Sequence, residues 1–155
     1  MTVTPIRPGP PGDVHDGRRR GAQSADGRSP SESDELARTP PHDIHAEQAT
    51  VGAMLISGTA ADEVAEIVSA RDFYRSAHAI VYETVVDLRD RREPADVISV
   101  NAELGRREQL EQAGGPAYLH TLVSTVPTAA NGGYYAARVA ELAQFRRLAE
   151  AAARI

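Results

Sequence analysis

The stretch from Asp72 to Leu88, DFYRSAHAIVYETVVDL, constrains the fold of this chain more than any other. Its apolar or small residues recur at steps of three and four, the spacing of one face of an α-helix. They are Phe73, Ala77, Ile80, Val81, Val85 and Leu88. Tyr74, His78 and Tyr82 form a second row beside them. Because a helix with two rows of large side chains is contacted on more than one side, the pattern predicts a central helix, capped by Asp72, in an all-α domain.

Five further segments show the helical period, and no segment alternates with the period of two that a half-buried strand requires. Asp43 and Asp96 are good N-cap residues, while Pro94, Pro127 and the Gly114-Gly115 pair interrupt helices. The predicted helices are one that starts after Asp43 and ends at 57–59, then 60–69, the central helix from 72, one from Asp96 to about Gly105, 116–126, and 129–155. We therefore expect a six-helix globular domain that ends in a long protruding helix.

The N-terminal quarter of the chain has a different composition from the rest. Residues 1–41 hold seven of the ten prolines and five of the twelve glycines, with few large apolar side chains. Too little apolar surface is present to offset the entropy cost of ordering. We predict a disordered tail rich in Pro, Gly and Arg over residues 1–40 and one helical domain over 41–155. The Arg18-Arg19-Arg20 run is interpreted as part of a solvated tail, although it also suits acidic lipid or nucleic acid.

Composition excludes several classes of function. The chain has no cysteine, and all 17 basic residues are arginine. A GxxxxGK[ST] phosphate-binding loop needs a lysine, and so does Schiff-base chemistry, so neither is present. Residues 42–155 hold 11 arginines against 16 acidic residues, a poor balance for a stand-alone nucleic-acid binder. There is no signal-peptide pattern and no apolar run long enough to span a bilayer, which predicts a cytoplasmic protein without a membrane partner.

Two stretches that contain histidine are candidate sites. His42, His45 and Glu47 lie close in sequence, but helical metal ligands repeat at i and i+4 and no HExxH motif exists, so exposed histidines beside a cap are the better interpretation. His78 lies among aromatic residues without a paired base or nucleophile at helical spacing, which favours a packed, hydrogen-bonded histidine.

Two arginine pairs are likewise better interpreted as surface or structural residues than as binding sites. Glu103, Glu108 and Glu111 surround Arg106-Arg107 in a polar stretch, which predicts a solvated surface. Arg146-Arg147 is a small basic patch for which an interhelical ion pair is favoured over a phosphate contact. With no GxSxG motif around any serine, we predict no catalytic, cofactor-binding or metal-binding site, and no enzyme activity for this chain.

The last predicted helix carries the candidate interaction surface. At 1.5 Å per residue it is about 35 Å long, more than a small domain needs. Its apolar residues keep helical spacing to the end of the chain, where little remains for them to pack against. A helix that leaves its domain usually pairs with another helix. We predict an interaction surface at Leu142, Phe145, Arg146 and Leu148.

Five motifs in fixed order resemble the N-terminal domain of the bacterial DnaB-type replicative DNA helicase. They are Pro41 with Ala46-Glu47-Gln48 and Val51-Gly52-Ala53-Met54-Leu55; Asp72-Phe73-Tyr74-Arg75 with His78, Val81 and Tyr82; Glu93-Pro94-Ala95-Asp96-Val97; Gly114-Gly115-Pro116-Ala117-Tyr118-Leu119; and Pro127-Thr128-Ala129-Ala130-Asn131 with Tyr134-Tyr135-Ala136 and Arg146-Arg147-Leu148. The resemblance covers residues 41–155 and leaves the tail out.

The resemblance implies an all-helical head followed by a helical hairpin. In the family, hairpins pair the domains into a dimer and hexamer collar, a trimer of dimers, that recruits primase in DNA replication. The ATPase and unwinding activities, with their ATP and Mg, belong to a motor domain that this sequence does not include. The implied partners are a second copy or a full-length helicase subunit, and primase, with DNA contacted only indirectly.

The sequence departs from the family pattern in three places. It stops at Ile155 within the expected first hairpin arm, and Thr50 and Gln144 stand where the family usually has aliphatic residues, which predicts slightly weaker packing.

Two alternatives remain open: a small helical DNA-binding regulator, for which helices four and five lack a basic recognition surface, and a non-functional remnant that would express poorly or aggregate.

Overall fold

The computed structural model describes residues 3, 5, 6, 8, 9, 12 and 39–155. Residues 39–155 form six α-helices and two short 3-10 turns, and no described residue lies in a strand. The helices are α1 Ile44–Ile56, α2 Gly58–Ile67, α3 Ser76–Asp90, α4 Val97–Arg106, α5 Pro116–Thr125 and α6 Gly132–Ala153, and the 3-10 turns are Ala70–Asp72 and Ala129–Asn131. The predicted all-α fold with a long last helix is confirmed. Most of the predicted 1–40 tail, including Arg18-Arg19-Arg20, lies outside the described residues, and the tail stays a prediction.

The helix at the centre of the domain is α1, not α3 as its spacing predicted. α1 packs against α2, α3, α5 and α6, whereas α3 packs against α1, α2 and α4. The reason is the size of the α1 side chains. Small residues at Ala49, Gly52 and Ala53 let neighbouring helices approach on several sides, so nine of its 13 residues are buried.

Gly52 shows how close that approach is. A Cβ atom built on Gly52 would lie 2.2 Å from the Leu122 carbonyl oxygen and 2.4 Å from Val126 Cγ2. The predicted use of this glycine, close approach of a second helix, is therefore confirmed, and the helix is α5. Nearby, Thr50 is fully buried, but its hydroxyl donates to the Ala46 carbonyl oxygen at 2.7 Å, while Gln144 is exposed.

Two caps differ from their predicted roles. Ser57 does not simply end α1; its hydroxyl accepts from the Ala60 N–H at 3.2 Å and starts α2 two residues earlier than predicted. Asp72 does not cap α3. Its carboxylate accepts from the Ser69 N–H at 2.8 Å and closes the first 3-10 turn, so α3 begins only at Ser76. The predicted caps at Asp43 and Asp96 are confirmed, with bonds of 3.0 and 2.8 Å to Ala46 and Ser99 N–H.

All six helices contribute to one apolar core, which includes Val51, Val64, Val85, Leu104 and Leu122. None of the helices in the described part of the chain combines the length and apolar character that crossing a bilayer requires.

Candidate protein-interaction surface

α6 consists of a packed first half and an exposed second half. It starts at Gly132, where a Cβ would lie 3.1 Å from the Ala53 side chain, so the helix begins close against α1. Its buried residues are Gly132, Gly133, Ala136, Val139, Leu142 and Ala143. Every residue from 147 to 155 is exposed. We call residues 145–155 the arm.

The four predicted interaction residues fall on both sides of this division. Leu142 is only 8% exposed and packs into the domain, so the expectation that it lacks a partner within the chain is wrong. Its side chain shares a helical face with Val139, which points to the core. Phe145 and Leu148 are 51% and 65% exposed, and their spacing of three places them side by side on α6. Two of the four residues therefore form an exposed apolar row.

Arg146 contacts its own chain. Its Nη1 donates to the Pro41 carbonyl oxygen at 2.9 Å and its Nη2 donates to the Asp72 carbonyl oxygen. The guanidinium lies over the Tyr74 ring, 5.9 Å from its centroid. Arg147 makes the interhelical ion pair that its sequence context favoured, with 2.7 Å between its Nη1 and Asp72 Oδ1.

The Asp72 carboxyl responds to these partners. Burial opposes its ionisation, but the Ser69 N–H and the Arg147 guanidinium together hold the pKa of Asp72 below its ordinary value. The charged form is therefore favoured, and it ties the first 3-10 turn to α6.

A buried polar network behind this surface was not predicted as a unit. Glu47 is 1% exposed, and its carboxylate accepts from the Tyr74 N–H at 2.6 Å and the Arg75 N–H at 3.3 Å. His78 is fully buried, with its Nδ1 2.7 Å from Glu47 Oε2 and its Nε2 2.6 Å from the Tyr118 hydroxyl. A carboxylate only accepts hydrogen bonds, so His78 donates from Nδ1 to Glu47, and its other ring nitrogen is hydrogen-bonded to the Tyr118 hydroxyl. The packed, hydrogen-bonded interpretation of His78 is confirmed.

One signal in the sequence indicates this network. Glu47 lies four and seven positions before Val51 and Met54, on a face whose other members are apolar, and His78 lies in the aromatic row of α3. An acid and a histidine on two buried faces need each other as partners, since an unpaired buried charge is costly. The interpretation of the neighbouring histidines as exposed is correct for His45 only, because His42 stacks on Tyr74 with 4.0 Å between ring centroids.

The acidic group after α4 is also more ordered than predicted. Glu103 is only 7% exposed, and the Arg106, Arg107 and Arg91 guanidiniums lie 2.6, 2.7 and 3.3 Å from its Oε1. Hydrogen bonds from Arg106 and Arg107 hold the pKa of the Glu103 carboxyl well below its ordinary value. The prediction of a solvated surface is wrong for this residue, because Arg91, at the end of α3, approaches from another element. The cluster joins α3 to α4.

The described residues also form a pocket on another side of α6. A pocket of about 440 Å³ opens between the start of α1, the end of α5 and the start of α6. Its lining includes His45, Tyr134, Tyr135 and Arg138. Within residues 39–155 and the few described tail positions, no three His, Asp or Glu side chains are placed to share a metal ion.

This geometry defines the class of protein: a helical module with a buried polar network, a C-terminal helix that leaves the head, and an exposed apolar row on that helix. The family model of the DnaB-like helicase N terminal domain matches residues 39–141. The chain belongs to this family.

Individual relatives agree with the family match. The chain is 53% identical over 131 residues to the replicative DNA helicase DnaB of Leifsonia xyli subsp. xyli, which covers 84% of this chain and 29% of that protein. It is 54% identical over 123 residues to DnaB of Mycobacterium leprae, covering 79% of this chain and 20% of that protein. The chain thus spans less than a third of the length of these curated relatives.

A solved structure extends the likeness to the fold. The crystal structure of the N-terminal domain of DnaB helicase from Mycobacterium tuberculosis is 55% identical to this chain, with a TM-score of 0.74 over 75% of this chain and 84% of that one. The predicted resemblance to a DnaB-type N-terminal domain is confirmed.

Proposed function

We propose that this chain is a non-catalytic assembly module of a replicative DNA helicase. It pairs through its arm with a second copy or with a full-length helicase subunit, contributes to a dimeric or hexameric collar, and presents that collar to primase. DNA is contacted only indirectly, and ATP binding and unwinding reside in a motor domain carried by the full-length proteins. Family membership supports the replicative context, and the chemistry of α6 supports the mode of contact.

The observation that carries the proposal is the exposed row of Phe145 and Leu148. These residues expose 51% and 65% of their surface on a helix that has already passed the apolar core. Burying an exposed large apolar side chain in a helix–helix contact contributes about 1.5 to 3 kcal/mol. Two such residues at a spacing of three make one stripe, which a partner helix covers without rearrangement of the head.

Phe145→Asp tests the proposal. Self-association is followed by sedimentation velocity over a range of concentrations, and affinity-tagged chain is used to capture purified full-length helicase and primase from the same organism. The variant should lose self-association and helicase capture, because a charged carboxylate in an apolar contact is not compensated. Loss of primase capture should accompany loss of the collar.

Ile98→Asp is the matched control, since Ile98 is an even more exposed apolar residue, at 80%, on α4. It should associate like the parent chain. Association that survives Phe145→Asp but is lost with Ile98→Asp would place the interface on α4 and refute the proposal. A chain that stays monomeric at high concentration and captures neither protein would also refute it.

A further inference from the structure

The two arginines at the start of the arm connect it to two separate parts of the head. Arg146 is the last residue of α6 that is not exposed, and it donates to the carbonyl oxygens of Pro41, before α1, and Asp72, at the end of the first 3-10 turn. Arg147 pairs with the Asp72 side chain at 2.7 Å. Three bonds therefore meet at the position where the packed half of α6 gives way to the exposed half.

An aromatic stack extends this connection. The Arg146 guanidinium lies over Tyr74, and Tyr74 is stacked on His42 with an interplanar angle of 10°. The Nδ1 atom of His42 lies 2.7 Å from the Pro40 carbonyl oxygen. The residues before α1 and the residues before α3 are thus held together against one face of the arm. We call Arg146, Arg147, Asp72, Tyr74 and His42 the arm clasp.

We propose that the arm clasp fixes the direction in which the arm leaves the head, and that it thereby pre-orients Phe145 and Leu148 for pairing. The effect of the clasp on pairing rests on the function proposed above, whereas its effect on the direction of the arm does not. A planar guanidinium that bonds two carbonyl oxygens from different segments resists rotation in a way that a single point charge does not. Core packing sets the axis of α6 through its buried residues between Gly132 and Ala143, whereas residues 147–155 are all exposed, so the clasp acts at the point beyond which burial no longer restrains the helix.

Pre-orientation affects affinity through the population of competent conformers. If the arm samples several directions, only the fraction with the correct one pairs, and the apparent affinity falls by that fraction. Loss of the clasp should therefore weaken self-association by about three- to ten-fold without removing the apolar row itself.

The direction of the arm is measured by double electron–electron resonance on the full chain. The chain has no cysteine, so Glu83→Cys on α3 and Ala151→Cys on the arm, both at exposed positions, give a single pair of spin labels. The measurement is made in the Phe145→Asp background, so that pairing does not contribute. The spin-labelled Phe145→Asp chain with both clasp arginines should give one narrow distance distribution. Adding Arg146→Gln and Arg147→Gln to it should broaden that distribution.

Conservative variants separate orientation from general stability. Arg147→Lys keeps the ion pair with Asp72 and should leave the distribution narrow, whereas Arg146→Lys loses the forked contact with two carbonyl oxygens and should broaden it. Arg138→Gln is the control on the same helix, since Arg138 pairs with Glu141 at 2.9 Å and lies 3.9 Å from the Asp43 carboxylate before α1, so it removes ion pairs of α6 that do not involve the arm. Urea unfolding of each variant shows whether the head remains folded.

The outcomes separate the two proposals. A distribution that stays narrow in Arg146→Gln with Arg147→Gln, or that broadens equally in Arg138→Gln, overturns the clasp. A broadened distribution with a folded head supports it. If the parent chain fails to associate through Phe145, the assembly function is refuted while the resonance measurement still decides the clasp.

Discussion

At the scale of single residues, stability is most sensitive at positions where a contact with a neighbouring element allows only one kind of side chain. Gly52 has the Leu122 carbonyl oxygen at 2.2 Å from where a Cβ would stand, and backbone atoms move little. Glu47 supplies the only carboxylate that reaches both the N–H groups before α3 and His78 among the contacts of the described residues.

Gly52→Ala should destabilise the domain although alanine is the better helix former. The gain in helix propensity is about 1 kcal/mol, and the clash with α5 should cost about 2 to 3 kcal/mol. Gly105→Ala is the matched control, since no atom lies within 4 Å of its Cβ position near the end of α4. It should be neutral or stabilising by up to about 1 kcal/mol. Urea unfolding measures both, and a stabilised Gly52→Ala variant would contradict the observed approach of α5.

Glu47→Gln should lower the free energy of unfolding by about 2 to 4 kcal/mol. The amide keeps the volume but loses one acceptor and the charge, so a buried N–H or the His78 ring loses its partner. Glu66→Gln, at an exposed position of α2, should change stability by less than about 0.5 kcal/mol. Equal effects of the two substitutions in urea unfolding would show that the network contributes nothing.

At the scale of elements, charged side chains decide how neighbouring segments are joined. Asp72 joins the first 3-10 turn to α6, and Glu103 joins α4 to the end of α3 through Arg91. In both cases the partners hold the pKa of the carboxyl below its ordinary value in the folded chain. The unfolded chain therefore binds more protons than the folded chain at acid pH.

The Asp72 contribution should consequently be complete above about pH 4 and be lost as the pH falls further, because the ordinary pKa of an aspartate is about 3.9 and the folded value is lower. Urea unfolding between pH 7 and pH 3 should show a smaller acid-induced loss of stability for Asp72→Asn than for the parent. Asp90→Asn, at an exposed position, should follow the parent. A parallel pH profile for Asp72→Asn and the parent would show that the carboxylate is not stabilised by Ser69 and Arg147.

At the scale of the whole molecule, the match to the family model lies within the helical domain and leaves out the predicted tail. The family model begins at residue 39 and α1 begins at Ile44. The composition of residues 1–38 predicts that they contribute no apolar core.

Removal of residues 1–38 should leave the free energy of unfolding within about 0.5 kcal/mol of the parent value, since their composition offers little apolar surface for the domain to bury. Thr39 is kept in the shortened chain. Chemical denaturation of both chains under one set of conditions checks this. A larger loss of stability would show that the tail packs on the domain and that the predicted boundary at residue 41 is too late.

Helix number, most caps and the role of Gly52 follow from short-range patterns, because a 3.6-residue period, a capping carboxylate and a missing Cβ act within a few positions of the chain. The same patterns suggest the arm, since the helical spacing of α6 continues through Phe145 and Leu148 to a part of the chain where little remains for them to pack against. The wrong prediction that α3 is the central helix comes from its large apolar side chains, which indicate burial. The central helix is instead α1, because small side chains let neighbouring helices pack closely around it.

The central place of α1, the Glu47–His78–Tyr118 network and the arm clasp depend on the assembled fold. The side-chain contacts of the network and the clasp that cross between elements join residues 27 to 105 positions apart, from Glu47 with Tyr74 to Arg146 with Pro41. No local period encodes which distant carbonyl or carboxylate meets a given arginine; that is decided by where packing of the core brings the backbone. The sequence therefore predicts that Leu142 and Arg146 contact a partner, whereas in the tertiary structure both contact their own chain.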